Sequence, residues 1–269
     1  MAITIKSERE IELMAEAGKI LERVHNELEK ALHPGMSTKD IDTLGEKIIR
    51  SYGCIPSFLN YNGYPASICV SVNQEVVHGI PDKHRIIHEG DIVSLDAGVI
   101  YKGYHSDAAR THAVGEVSEE AKKLIQVTKE CFFEGIKYAK AGNHLFDISG
   151  AIGRYAEERG YGVVRDLCGH GIGTALHEAP EIPNYEVGRK GVKLRPGMTL
   201  AIEPMVDLGS AEVVWMDDDW TVVTEDWSLS AHYENTILIT DGEPEIFTLT
   251  ESEIATGRWN QYLGRQTEA

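Results

Sequence analysis

The chain has 269 residues, with 26 Lys and Arg against 43 Asp and Glu, a formal charge of −17 that repels phosphate backbones and anionic membrane surfaces alike. Nucleic-acid binding and membrane attachment are therefore not expected: no apolar run reaches the roughly 18 residues of a membrane span, and the first twelve residues lack the apolar core of a secretory signal. Cys54, Cys69, Cys131 and Cys168 form no C-x-x-C pair, so the expectation is an acidic, cytoplasmic chain with reduced thiols, folded as a single domain over residues 1–269.

Ser7 with Glu10 reads as a capping box, and Ile11, Met14, Gly18, Leu21, Leu28 and Leu32 follow at helical spacing until His33-Pro34-Gly35. A second helix starts at Ser37 or Thr38, buries Ile41, Leu44 and Ile48, and stops at Gly53. Strands are expected at 67–72, 91–101 and 106–114. Helices follow at 119–141, opened by Ser118, and at 147–159, opened by Asp147 and closed by Gly160. Strands return at 163–167, 198–206, 212–216, 220–224 and 234–240. Helices and strands mix in both halves, which makes an α/β (α+β) chain and leaves room for a duplicated architecture.

The strand Ile92-Val93-Ser94-Leu95-Asp96-Ala97-Gly98-Val99 carries a carboxylate in a buried-looking run, and a buried charge needs a partner. Asp107 lies eleven positions on, across a turn at Tyr101-Lys102-Gly103, so a hairpin brings the two acids opposite or nearly so. An ion pair of Asp96 with Arg110 explains the first acid equally well. Three more candidates follow: His170 between glycines in Cys168-Gly169-His170-Gly171-Ile172-Gly173, where small neighbours admit a bulky ligand, and Glu203 and Glu234 among strand residues. Singly, each is ordinarily structural. Together they put four carboxylates in one pocket, where each pair at 4 Å repels by about 4 kcal/mol at an effective dielectric near 20. Two divalent cations with a bridging hydroxide bring that charge close to neutral. One imidazole with carboxylates suits Mn, Fe(II), Co or Zn, without choosing among them.

With these motifs in order, the chain resembles the methionine aminopeptidases, in their type I bacterial form. The resemblance is carried by Leu95-Asp96-Ala97-Gly98, Gly103-Tyr104-His105-Ser106-Asp107, Gly169-His170-Gly171-Ile172-Gly173 with His177, Ile202-Glu203-Pro204 and Ser230-Ala231-His232-Tyr233-Glu234-Asn235-Thr236. It implies a pita-bread fold: two pseudo-symmetric halves with a curved, mainly antiparallel sheet covered by helices. It also implies removal of the N-terminal methionine from nascent proteins when the second residue is small, in a cytoplasmic monomer that meets its substrates at the ribosome.

Residue by residue, the resemblance makes Asp96 a chelator of one metal, Asp107 and Glu234 bridges, and His170 and Glu203 ligands of the other, with Glu203 also the general base. His78 and His177 flank the substrate. Tyr61, Tyr64, Cys69 and Trp220 line the methionine pocket, joined by Phe58 and Leu176 where many bacterial members have a cysteine and a phenylalanine. Leu167 stands where the family more often has methionine or an aromatic. His84 and His88 are expected to be structural or surface residues, because Arg85 stands where a metalloprotease helix would carry glutamate.

Spacing separates the subtypes: Glu203 follows His170 by 33 positions and precedes Glu234 by 31, with no room for the helical insertion of type II enzymes. Xaa-Pro aminopeptidases and prolidases share the implied fold and metal set, but usually carry a domain upstream, and only 77 residues precede His78. A non-catalytic peptide-binding relative would lack ligands, and all five are present.

Overall fold

A computed structural model describes residues 2–264. The first half opens with α1 (Glu8–Ala31), where Ser7 and Glu10 form the expected capping box, and α2 (Thr38–Ser51), capped by Ser37 rather than Thr38. Gly53, at φ 72°, stands just past α2 in the left-handed conformation that favours glycine. The strands β1 (Ile55–Pro56), β2 (Ile68–Val72), β3 (Glu75–Val77), β4 (Ile92–Tyr101) and β5 (Tyr104–Ala113) follow. β4 carries β5 on one edge and both β2 and β1 along the other. The β4–β5 turn is the two-residue Lys102-Gly103, both at positive φ, as a tight hairpin turn of this length requires.

The second half begins with α3 (Glu119–Ile136), capped by Ser118, and α4 (Leu145–Glu157). Both boundaries differ from expectation. α3 ends five residues early because i→i−3 bonds from Tyr138 and Ala139 tighten its last turn. α4 starts earlier because His144 is the cap, and the Asp147 carboxylate accepts from its backbone N–H as the third helical residue. The strands are β6 (Gly162–Val163), β7 (Gly169–Gly171), β8 (Glu178–Ile182), β9 (Thr199–Ile202), β10 (Met205–Asp207), β11 (Val213–Trp215), β12 (Val222–Thr224), β13 (Ser230–His232), β14 (Asn235–Leu238) and β15 (Glu245–Ile246), before a short helix α5 (Glu251–Ala255). Among the described residues every strand pairing is antiparallel, in the orders β15-β14-β9-β7-β8, β13-β10-β6 and β11-β12-β3.

The expected strands 198–206 and 234–240 are each interrupted or shortened, and the reason matters for the site. β9 pairs with β14 and β10 with β13, so the chain changes sheet at Glu203-Pro204 on one side and Tyr233-Glu234 on the other. Proline has no N–H to give a ladder, which fixes the break. Both glutamates thus sit at facing corners where two sheets meet.

Each half has its own apolar core. α1 and α2 bury Leu21, Val24, Ile41 and Ile49 against Val70, Leu95 and Val99, while α3 and α4 bury Phe132, Ile136, Ile148 and Ile152 against Leu200, Ile202 and Ile237. A smaller apolar cluster containing Phe58, Tyr64, Cys69, Ile172, Leu176 and Phe247 lies between them. All four cysteines are free, and among the described residues no helix is long and apolar enough to cross a membrane.

Candidate active site

The β4–β5 hairpin fixes the first two acids. Asp96 is paired with Ala109 and Asp107 with Gly98, so the aspartates are not directly opposite but diagonal neighbours on the same face. Asp107 is clamped from the other half: its N–H donates to Thr236 Oγ1, whose hydroxyl donates back to the Asp107 carbonyl, both at 2.9 Å. Arg110 does not serve Asp96. Its guanidinium donates to the Glu234 carbonyl, Asn235 Oδ1, the Thr248 carbonyl and Glu253 instead.

His170 lies in β7, between β8 and β9. Its flanking glycines serve the sheet and not ligand access: a Cβ at Gly169 would collide with the Ala201 carbonyl, and one at Gly171 with that of Ala179. Nδ1 bonds the Gly171 carbonyl at 2.8 Å, which makes Nδ1 the protonated nitrogen and leaves the Nε2 lone pair free. Burial holds the His170 pKa down to about 3, so the ring is neutral.

Ligand atoms of Asp107, His170 and Glu234 lie within 4.8 Å of one another, and His170 Nε2 is 3.9 Å from Asp107 Oδ2 and 3.7 Å from Glu203 Oε1. Asp96 Oδ1, Asp107 Oδ1 and Glu234 Oε1 are buried without a hydrogen-bond partner. Burial pushes the Asp96 carboxyl up to about 7 and that of Glu203 to about 8. Asp107 and Glu234 rise well above the carboxylate range, through burial first and then the neighbouring acids. Clustered oxygen donors that lack partners, beside one neutral imidazole, are a fitting donor set for divalent cations.

Around this cluster closes a cavity of about 200 Å³ lined by all the residues singled out from the sequence: Asp96, Asp107, His170, Glu203 and Glu234 with His78 and His177, and Phe58, Tyr61, Tyr64, Cys69, Leu176 and Trp220. His78 holds a left-handed backbone at φ 59°, unusual for a side-chain-bearing residue, and its ring meets Trp220 edge-on at 6.1 Å. His177, at the exposed mouth, has Nδ1 2.7 Å from the Tyr61 hydroxyl and its ring 4.2 Å from that of His170. Tyr64 is locked by a hydroxyl bond to the Gly79 carbonyl at 2.9 Å. Leu167 packs beside Val164 and Met205, and His84 and His88 are exposed, away from the cavity.

Two residues near the cluster were not singled out from the sequence. Asn62, left-handed at φ 50°, lines the cavity. His232, buried at the end of β13, has Nε2 3.5 Å from Glu203 Oε2. Its position in a motif with Glu234 was legible, but nothing in a linear spacing shows that the corner at Glu203 turns toward it.

The chain is similar to known proteins along most of its length. The methionine aminopeptidase of Clostridium acetobutylicum is 59% identical over 249 residues, spanning 93% of this chain and all of that one. The crystal structure of methionine aminopeptidase from Thermotoga maritima superposes with a TM-score of 0.90 at 48% identity, covering 92% of this chain and 99% of the other, and the fold is the pita-bread fold. An Xaa-Pro dipeptidase from Bacillus anthracis shares the fold more loosely, with a TM-score of 0.73 at 28% identity, and this chain covers 62% of it. Residues 12–241 match metallopeptidase family M24, and the chain belongs to that family.

Proposed function

We propose that the chain is a methionine aminopeptidase that removes the N-terminal methionine of nascent polypeptides when the second residue is small, acting as one catalytic domain with two divalent ions. The observation that carries this reading is the union, in one cavity, of a carboxylate–imidazole cluster and a pocket of aromatic rings and a thiol suited to a thioether. Pockets for drug-sized ligands span roughly 300–1,000 Å³. A cavity of about 200 Å³ suits one side chain and the atoms of one peptide bond.

Asp96, Asp107, His170, Glu203 and Glu234 would hold the ions, with Asp107 and Glu234 shared between them. Such ions, when bound, lower the pKa of water to about 7 and polarise a carbonyl. Glu203 takes the proton of the attacking water on its carboxylate and hands it to the leaving amine. With the Tyr61 hydroxyl donating to Nδ1, His177 carries its proton on Nε2 and donates it to the oxygen on which negative charge develops. His78, held neutral with a pKa near 4 chiefly by burial, is the second polar group facing the substrate backbone. Phe58, Tyr61, Tyr64, Cys69, Leu176 and Trp220 enclose the methionine side chain.

The reading extends to a cytoplasmic monomer acting on chains as they leave the ribosome, and the −17 charge supports action without direct nucleic-acid contact. Metal-reconstituted protein is expected to cleave Met-Ala peptides and to spare Met-Lys peptides, and equal rates on the two would overturn the specificity. Asp107→Ala and Glu234→Ala are each expected to lose both metal and hydrolysis. Full metal content with normal turnover in either would overturn the two-ion assignment.

A further inference from the structure

The Glu203 carboxylate is shared out between two imidazoles. Oε1 is 3.7 Å from His170 Nε2, and Oε2 is 3.5 Å from His232 Nε2. His232 is 2% exposed, and its Nε2 has no hydrogen-bond partner. A buried ring nitrogen without a partner is uncommon, and a carboxylate oxygen stands 3.5 Å from it, the one that faces away from His170.

The main chain delivers this ring to a fixed place. His232 pairs with Met205 across the β10–β13 ladder, two residues beyond Glu203, so the ring stands beside the corner from which Glu203 projects. Thr111 Oγ1 donates to the His232 carbonyl and accepts from the His232 N–H, both at 2.9 Å. The atoms that converge most closely come from Asp107, His170 and Glu234, and His232 is outside that group.

We infer that His232 is a positioning residue: in the loaded protein its Nε2–H closes the 3.5 Å gap and donates to Glu203 Oε2, which fixes the rotation of the carboxylate and leaves Oε1 directed toward His170 and the cation pocket. A carboxylate held through one oxygen has less freedom to rotate, so its orientation in the loaded protein depends on the residue at position 232. The inference rests on the proposed role of Glu203 as ligand and base.

The test uses purified full-length protein carrying His232→Leu, which removes the donor, His232→Gln, which keeps an N–H of similar reach, and Glu203→Gln, alone and combined with His232→Leu. Readouts are Co(II) stoichiometry and Kd by calorimetry, the visible Co(II) spectrum, Tm, and kcat and KM on a Met-Ala peptide. Removing a group that orients a metal ligand costs roughly 10–100-fold. His232→Leu is expected to keep full stoichiometry and Tm, to alter the Co(II) spectrum and to lower kcat by that factor at unchanged KM. His232→Gln is expected to recover most of the loss, and in the Glu203→Gln background His232→Leu should leave Kd where Glu203→Gln alone puts it.

A normal kcat and spectrum in His232→Leu would overturn the inference while leaving Glu203 in its role. The loss of one Co(II) per chain in both His232 variants would overturn it in favour of a direct ligand. Undiminished kcat in Glu203→Gln would instead overturn the reading beneath it.

Discussion

Asp107 and Thr236, 129 positions apart, exchange two hydrogen bonds at 2.9 Å, one in each direction between a backbone and a single hydroxyl. Thr236 belongs to β14, two residues past Glu234, so this buried hydroxyl, together with the Glu234 N–H on the Ala109 carbonyl, ties the segments that carry the two acids proposed as bridges.

Thr236→Val keeps the shape of that side chain and deletes its hydroxyl, leaving a buried N–H and a buried carbonyl without this partner. At about 1–3 kcal/mol for each buried group left unsatisfied, the variant is expected to lose about 2–6 kcal/mol in a denaturant titration. Its affinity for Mn(II) should weaken as the acids drift apart. Unchanged values for both would show that the pair contributes nothing to the site.

The pH dependence of the metal-free protein should have two arms. His25 and His170, with pKa held down to about 3, and His78, His105, His112 and His232, at about 4, are depressed chiefly by burial. Their contribution is present above the ordinary histidine value near 6.5 and is lost as pH falls toward 3–4. Asp96 and Asp207, raised to about 7, and Glu203, raised to about 8, have the opposite sign. The folded chain holds protons there that the unfolded chain has released, so stability falls as pH rises from 6.5 to about 8. Scanning calorimetry with chelator present should show Tm declining across that upper window. Added Mn(II) should offset the part due to Asp96 and Glu203, because cations need them ionised. A chelated protein whose Tm rises from pH 6.5 to 8 would contradict the assignment.

His177→Ala should retain its metals and fold while kcat falls by roughly 10²-fold, the scale of losing one oxyanion donor. Tyr61→Phe, which leaves His177 Nδ1 without its 2.7 Å partner, should show a smaller loss of the same kind. Loss of metal in His177→Ala, measured by elemental analysis, would make the residue a ligand instead, and an unchanged kcat would make it structural.

Arg110→Met should destabilise the fold far more than it perturbs the acids' chemistry. Arg110 is 5% exposed, and its guanidinium bonds Glu253, whose carboxyl it holds well below the usual range against the cost of burial. Breaking such a buried pair costs about 3–5 kcal/mol. A variant with wild-type Tm would show that Lys129, also paired with Glu253, suffices.

Much of this arrangement was legible in the sequence because it depends on local rules. Caps at Ser7, Ser37 and Ser118 and the turn at Lys102-Gly103 are fixed by neighbouring residues, and the turn alone puts Asp96 and Asp107 on one face. β7, β8 and β13 were not legible: they have three to five residues, and in the first two Gly169, Gly171 and Pro180 obscure any strand pattern. The corners at Glu203 and Glu234 were hidden in runs that read as continuous strands, because a change of sheet is decided by partners far along the chain. The glycines beside His170 were visible, but their reason, contact with the backbones of two neighbouring strands, needs the fold.

The corners also divide the cavity into a stiff side and a yielding one. Asp96 and Asp107 stand in the middle of ten-residue strands, and neither can move without dragging the ladder with it. At its corner, Glu234 is still moored by its N–H to the Ala109 carbonyl and by Arg110 on its own carbonyl. The Glu203 carbonyl receives one side-chain bond, from Asn184 Nδ2 at 3.0 Å, and the next residue is a proline with nothing to donate. If ions of different radius bind here, the less anchored main chain at the Glu203 corner is where the difference would be taken up, with the carboxylate still held beside His232, so that a change of cation would be felt at the acid proposed to move a proton.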